Sequence, residues 1–528
     1  MRDNNSLNKL SVKRRRCSAI TVDRLSQLPQ PVLHNILSLL SQKDAVRTSV
    51  LSQSWRYIWH GRFNVEFRDR DHGLARKKEF LSFLDKTLPR YLDQNLSLQK
   101  ILVDIYYEVD FVLLKKWIPL LIMNMGVSSF TLISYCAKPF PLPLVVFQSE
   151  FLVELHLEHC SLDILKSTNN VMLNNLQTLG IHHVYIDYIT DEIFEKIISG
   201  CPLIENLDLC DCNGLKSIKL HKHHNIKDFG CSLHDKTTII EIEDPHALES
   251  VRIENCRNWF LRHKNMHFPH LKSLNLDMVH LPAKIFDNFS SFFPCLNELI
   301  LDSCDGLKEF RLLSSSIKRL TITMDPRNRI KAFIDTPNIL YFKYDGFLPS
   351  IKFATTSNEW KSELSLCYKL RRSQNDDATL WFLELNELLK ALSQSHITLE
   401  LDSNKYKKLH INDSYGGFYK PVVVEHLKFS GCFSSSSDSA ILNCFFRVCR
   451  PCYLHTDLYD GGGAKCSFTE YISKLIPDET GCFWLQDLVE VSTEVWKKAK
   501  EWCCVKGTSL PAMRSQQQIR FRLTWKEQ

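Results

Sequence analysis

Near the start of the chain, apolar residues recur at helical spacing. The stretch "LPQPVLHNILSLL" sets Leu33, Ile36, Leu37 and Leu40 on one helix face, and Pro31 suits the first turn, where its missing N–H costs nothing. "SQKDAVRTSVL" predicts a second short helix carrying Val46, Ser49 and Val50, with Asp44 as its N-cap. Ser52 caps a third, with Trp55, Ile58 and Trp59 at helical spacing. A segment of about 40 residues rarely makes a stable core of its own. The surplus of leucine and tryptophan between Asp23 and Phe63 therefore implies a surface that faces a partner. Further on, "KKEFLSFLDKTLPRYL" and "DFVLLKKWIPLLIMNM" are helical by period, with strand-like "LQKILVDIY" between them. "LWFLELNELLKALSQ" (Leu380 to Gln394) predicts another helix and "HITLELD" a strand, while "GCFSSSSDS" and "DGGGAK" predict loops. The closing "QIRFRLTW" alternates Ile519, Phe521, Leu523 and Trp525 as a half-buried strand does.

Through the body of the chain one pattern repeats, L-x-x-L-x-L. It occurs as Leu152-Leu155-Leu157, Leu176-Leu179-Ile181, Ile204-Leu207-Leu209, Leu248-Val251-Ile253, Leu271-Leu274-Leu276, Leu296-Leu299-Leu301, Ile317-Leu320-Ile322 and, later, Val424-Leu427-Phe429. From Leu248 to Ile317 successive copies step by 23, 25 and 21 residues, inside the roughly 20–29-residue period of leucine-rich repeats. The steps elsewhere are less regular. The same consensus places Asn or Cys just after the strand, and Cys160, Cys212, Cys256, Cys304 and Cys432 fall there. A small, weakly polar thiol tucked inside that turn behaves as a buried hydrophobe.

The expected fold is therefore α/β: a three-helix head, then an irregular solenoid with parallel strands on a concave face and helices or loops on the convex face. The predicted organisation is a basic leader over 1–21, the head over 22–63, irregular capping or first repeats over 64–150, repeats over 151–350, and irregular repeats with a closing strand over 351–528. The x positions of each strand point to solvent. They include Glu154, His156, Glu158, Asp208, Arg252, Glu254, Asp277, Glu298, Asp302 and Arg319, of which all but Glu298 and Arg319 are the candidate target-binding residues. Acid outnumbers base there, so either this face meets a partner with some positive charge or it is merely solvated.

Charge and composition change this picture little. The chain has 528 residues, 44% hydrophobic and 24% charged, with a net charge of +6. That is an ordinary globular balance, and its mild basic bias does not point to nucleic acid. No apolar run reaches the 18 or so residues of a membrane span, and "MRDNNSLNKLSVKRRRCS" lacks the apolar region of a secretory signal. Nineteen cysteines without an export signal are expected to stay reduced. The run Lys13 to Arg16 reads either as a nuclear import signal or nucleic-acid arm, or as a solvated leader. The expected location is the nucleus and/or cytoplasm. The His221, His223 and His224 cluster has no matching ligand set nearby in sequence. Cys449 and Cys452 have redox-motif spacing without its strand–helix context, and Cys503-Cys504 stands alone. No phosphate loop, H-E-x-x-H or G-x-S-x-G is present. Neither a cofactor, a metal nor a catalytic residue is expected.

Leu28-Pro29, "LHNILSLL", "KDAVRTSVLS" and "WRYIW" together resemble the F-box, in the form found in plant F-box proteins with leucine-rich repeats. The resemblance covers Asp23 to about Phe63. It implies a non-catalytic substrate-recognition subunit of an SCF-type cullin–RING ubiquitin ligase, bound to an SKP-type adaptor and through it to cullin and RING subunits. The adaptor contacts it implies are Leu28, Pro29, Leu33, Ile36, Leu37, Val46, Leu51 and Trp55. Two positions depart from the family. Gln30-Pro31 replaces a usual acidic pair, losing charge that favours a helix N-terminus, and Gln53-Ser54 stands where a basic residue is common. The alternative is a repeat scaffold without a ubiquitin role, its head serving only as a cap.

Overall fold

Pro29 and Pro31 frame the start of the first helix, α1 (Gln30–Ser38), whose leading Val32 and Leu33 N–H groups donate to the Pro29 carbonyl at 2.9 and 3.2 Å. No side chain caps it and no acid lies in its first turn. Its stability rests on packing instead: Leu33 and Leu37 are 2% and 0% exposed, and Leu28, Ile36 and Leu40 pack against them. Asp44 takes a helical position rather than that of the cap expected for it, one turn before Arg47, which it pairs at 3.0 Å.

The computed structural model describes residues 27–40, 44, 47–48, 50, 64–68, 85, 88–89 and 98–106, most of 111–402, and then 420–430, 444–456, 483–497, 501–504 and 519–526. Val46, Leu51, Trp55, the Lys13 to Arg16 run, His221, Cys432, the third predicted helix and the two polar loops lie outside these residues. The chain divides into Met1–Lys138 and Pro139–Gln528.

In the first unit, β1 (Asn64–Arg68), β2 (Lys100–Ile105) and β3 (Ser129–Ser134) pair in parallel, with Asn64 opposite Lys100 and Lys100 opposite Ser129. The connection from β2 to β3 contains α2 (Phe111–Asn124), which keeps its helix through Pro119 and buries Trp117, Ile118, Leu121 and Ile122. The strand expected at "LQKILVDIY" and the helix at "DFVLLKKWIPLLIMNM" are present, while most of "KKEFLSFLDKTLPRYL" lies outside the described residues.

The second unit is a ladder of parallel strands. It begins with β4 (Glu154–Glu158), β5 (Thr178–His182), β6 (Asn206–Cys210), β7 (Asp228–Ser232) and β8 (Ser250–Glu254). It continues through β9 (Ser273–Asp277), β10 (Glu298–Asp302), β11 (Arg319–Thr323), β12 (Tyr341–Phe347) and β13 (Trp360–Cys367). Beyond residue 350 it runs on through β14 (Ser395–Asp402), β15 (Val422–Ser430) and β16 (Cys449–Thr456). The repeat leucines are buried and the residues between them reach solvent, the alternation a half-buried strand requires.

β7 and β12 carry aromatic or sulfur side chains in place of the aliphatic pair. β7 uses Ile226, Phe229 and Cys231, and β12 uses Ile339, Phe342 and Tyr344, all buried. Ile226 lies 22 residues after Ile204 and 22 before Leu248, and Ile339 lies 22 after Ile317. The gap between Ile204 and Leu248 and the step after Ile317 are thus repeats filled by aromatic and sulfur side chains.

After each of several strands the chain turns through a left-handed residue: His159, His183, Asp211, Asn255, Met278 and Ser303 have φ between 48° and 61°. The next residue in each case is buried, and in four it is Cys160, Cys212, Cys256 or Cys304. Cys212, Cys256 and Cys304 point Sγ at the carbonyls of Ile181, Thr238 and Leu276 at 3.2, 3.3 and 3.4 Å. Burial pushes the Cys212 and Cys304 thiols up, that of Cys304 to about 12. They are packing residues, as the consensus implied.

The opposite side of the ladder carries few helices. α3 (Asp191–Ser199) is capped by Thr190, whose hydroxyl accepts from the Ile193 N–H, and buries Ile193, Phe194, Ile197 and Ile198. α4 (Ala378–Ala391) matches the helix expected near Leu380. Elsewhere that side holds short 3-10 turns and small second sheets such as Ser217–Lys219 with Ile239–Glu241.

The second unit begins at Pro139, and Phe140–Pro141 pairs with Cys160–Ser161, which ties that segment to the repeat that follows. The closing strand β19 (Ile519–Trp525) runs antiparallel between β16 and β17 (Leu488–Lys497), and β18 (Glu501–Cys504) pairs with β17. Phe521 and Leu523 are buried, as the alternation predicted.

The two faces of β10 and β11 predict opposite costs. Leu299→Ala should lower stability by about 2–5 kcal/mol, the range for an unrelieved core truncation. Thr321→Ala, on the open face, should change it by less than about 0.5 kcal/mol. Denaturant unfolding of the two variants beside the wild type checks this.

Candidate functional site

Two surfaces are candidates, one in each unit. In the first, Pro29 is exposed, Leu28 and Ile36 are half-buried, and Val32 and Leu39 are exposed around them. Leu33 and Leu37, expected among the adaptor contacts, face inward instead. A helix only nine residues long that lacks a cap and first-turn acid needs those two leucines for its own packing. Of the expected contacts in this stretch, Leu28, Pro29 and Ile36 are accessible and Leu33 and Leu37 are buried.

In the second unit the register lines the open positions of the strands into rows. The middle row runs His156, Gly180, Asp208, Gly230, Arg252 and Asn275. The two glycines leave room for their neighbours. A Cβ on Gly180 would meet His156 Nδ1 at 2.4 Å, and one on Gly230 would meet Asp208 Oδ1 at 2.3 Å and the Arg252 guanidinium at 2.8 Å. Across that gap Arg252 pairs with Asp208 at 2.8 Å, and His182 Nε2 reaches the other carboxylate oxygen at 3.0 Å. Those partners, the His182 contact foremost, hold the Asp208 carboxyl below its ordinary range.

A second network crosses β9 to β13. The Ser273 hydroxyl donates to Glu298 at 3.1 Å, Arg319 Nε pairs with Glu298 at 3.2 Å, and the Arg319 guanidinium lies 4.6 Å from the Tyr341 ring centre. The Tyr341 hydroxyl donates to Glu363 at 2.7 Å. Burial, then the hydrogen bond to Glu363, pushes this phenol up to about 12.

The last open row is the acidic one. Glu254, Asp277 and Asp302 are consecutive in register, followed by Thr323 and Asp345. Burial, then the neighbouring charges of Asp302 and Glu254, pushes the Asp277 carboxyl up to about 6.

Two family models match separate parts of the chain. A family model of the F-box domain matches residues 25–64. A second, for the leucine-rich repeats of FBD-associated F-box protein At5g56370, matches residues 114–256. Among curated relatives from Arabidopsis thaliana, the F-box/LRR-repeat protein At3g59200 is 35% identical over 203 residues, covering 36% of this chain and 37% of that protein. The F-box/FBD/LRR-repeat protein At5g56420 is 29% identical over 282 residues, 49% of this chain and 61% of that protein. The chain thus carries an F-box and leucine-rich repeats similar to those of F-box/LRR-repeat proteins. The matches span between about a third and three fifths of those relatives' lengths.

Within the F-box, the described residues place Leu28, Pro29 and Ile36 where a partner reaches them. Within the repeats, every expected face residue reaches solvent: Glu154, His156 and Glu158 on β4, Asp208 on β6, Arg252 and Glu254 on β8, Asp277 on β9, Glu298 and Asp302 on β10, and Arg319 on β11. Register brings Glu254, Asp277 and Asp302 together, and it neutralises Asp208 and Glu298 against Arg252 and Arg319. His182, Tyr341, Asp345 and Glu363 belong to the same face but were missed. For Tyr341 and Asp345 the 22-residue step to Ile339 was the available signal.

Asp277 holds its proton more readily in the folded chain, near 6, than its ordinary value of 3.8 allows. Its charge therefore weakens the fold as pH rises through 6, and the penalty is absent once both states are protonated below about 4. Asp277→Asn should raise the thermal midpoint above pH 6 and converge on wild type below pH 4. Thermal unfolding across pH checks it, and a pH-independent difference would contradict it.

Proposed function

We propose that this chain is the substrate-recognition subunit of an SCF-type cullin–RING ubiquitin ligase, acting in the nucleus and/or cytoplasm. The F-box binds an SKP-type adaptor through Leu28, Pro29 and Ile36, with Val46, Leu51 and Trp55 as further contacts, while the open face of the repeats holds a target protein. The observation that carries the reading is the joining, in one chain, of an F-box with reachable Leu28 and Pro29 to a ladder whose open face is densely charged. The chain itself is non-catalytic in this reading. It accelerates transfer by holding a target lysine beside the charged conjugating enzyme, replacing a bimolecular encounter with an effectively intramolecular one.

The acidic row of Glu254, Asp277 and Asp302 favours a target segment bearing lysine or arginine, since complementary charge sets specificity and association rate. Asp208 and Glu298, already paired within the chain, contribute less.

Replacing Leu28 and Pro29 together by alanine should abolish co-purification with the adaptor while leaving the thermal unfolding of the repeats unchanged. Leu33→Ala should also weaken adaptor binding, but by loosening α1, and so should destabilise the head. Adaptor binding that survives the double substitution would leave the scaffold reading standing in its place.

A further inference from the structure

At the ends of β5 and β6, three side chains of different chemistry converge. His183, Cys210 and Asp211 each offer one donor atom, and these atoms lie within 4.8 Å of one another. His183 Nδ1 stands 3.0 Å from the Asp211 carboxylate. The geometry points to a binding site for a divalent transition-metal ion of the zinc type, held by His183 Nδ1, Cys210 Sγ and the Asp211 carboxylate, with a fourth position open to water.

Backbone geometry explains why the three meet. His183 and Asp211 occupy the same place in successive repeats, the left-handed residue after the strand, with φ of 53° and 54°. Their N–H groups continue the ladder by donating to the carbonyls of Cys210 and Ser232 at 2.7 and 2.8 Å. Both positions are thereby fixed by main-chain bonds, which leaves the side chains to turn toward each other. Cys210 ends β6 on the open side, whereas Cys212, two residues on, is buried. It is thus the thiol of this turn that an ion can reach.

The surroundings suit a cation. Nitrogen, sulfur and oxygen together form the mixed donor set zinc accepts. Ligand atoms around a tetrahedral zinc sit roughly 3.3–3.6 Å apart, so a side-chain rotation of about an ångström closes the set. Glu158 Oε1 lies 3.9 Å from His183 Nε2, where a carboxylate orients a metal-bound imidazole through its remote nitrogen. The Ser232 hydroxyl hydrogen-bonds Cys210, and the negative charges of Asp211, Asp208 and Glu254 act on the same thiol. Together these carboxylates surround the donor set with negative charge, which favours a bound cation. The His223 and His224 pair, the metal candidate visible in the sequence, takes no part.

Cobalt(II), a coloured stand-in for zinc, tests the site in the full chain stripped of metal with a chelator. Wild type should bind one equivalent with a thiolate-to-cobalt charge-transfer band in the near ultraviolet, and zinc should displace it. Cys210→Ser should remove the band, while Cys504→Ser, altering an exposed cysteine elsewhere, should leave it. His183→Asn and Asp211→Asn, which tolerate the left-handed backbone, should weaken binding, and Glu158→Gln should weaken it about 10- to 100-fold. Circular dichroism confirms that each variant keeps its fold. No thiolate band in wild type, or a band that persists in Cys210→Ser or at unchanged affinity in His183→Asn, would overturn the proposal.

Discussion

The main-chain register between parallel strands is the constraint on which the rest depends. Each strand of the second unit presents its neighbour with the same pair of buried side chains and the same open positions, so one residue of slip would turn the apolar set outward. The left-handed residues after the strands extend this register by one further hydrogen bond each, and the buried cysteine or valine that follows closes the turn. Charge rows, glycine gaps and the convergence at His183 are all consequences of that alignment. None of them is built by a local motif.

The register also sets how open positions share their charges. Where a glycine opens the middle row, Arg252 crosses it to Asp208; where an aromatic ring stands beside the row, Arg319 lies over Tyr341 while pairing with Glu298. In the last row no base alternates with the acids, and Asp277 is left with a carboxyl that prefers its proton. Like charges directly opposite on neighbouring strands oppose folding.

Much of this was legible in the sequence where one residue type repeats. The leucine pairs located β4, β5, β6, β8, β9, β10, β11 and β15, and the four described post-strand cysteines, Cys160, Cys212, Cys256 and Cys304, are buried packing residues as read. β7 and β12 escaped because Phe229 with Cys231 and Phe342 with Tyr344 fill the same inward space without leucine. Periodicity placed α1 but could not divide its leucines between the head's own packing and a partner. Leu33 and Leu37 turn inward because an uncapped helix of nine residues depends on them. The His183, Cys210 and Asp211 set was invisible for another reason: its members lie a repeat apart and meet only through the ladder.

The central claim is that adaptor and target occupy separate surfaces of one chain. Replacing Glu254, Asp277 and Asp302 together by lysine tests it most directly, with bound partners quantified after affinity capture from the source tissue. The account predicts undiminished adaptor, and selective loss of the non-ligase proteins that wild type retains. Capture of the same proteins in the same amounts, or loss of the adaptor together with them, would contradict it.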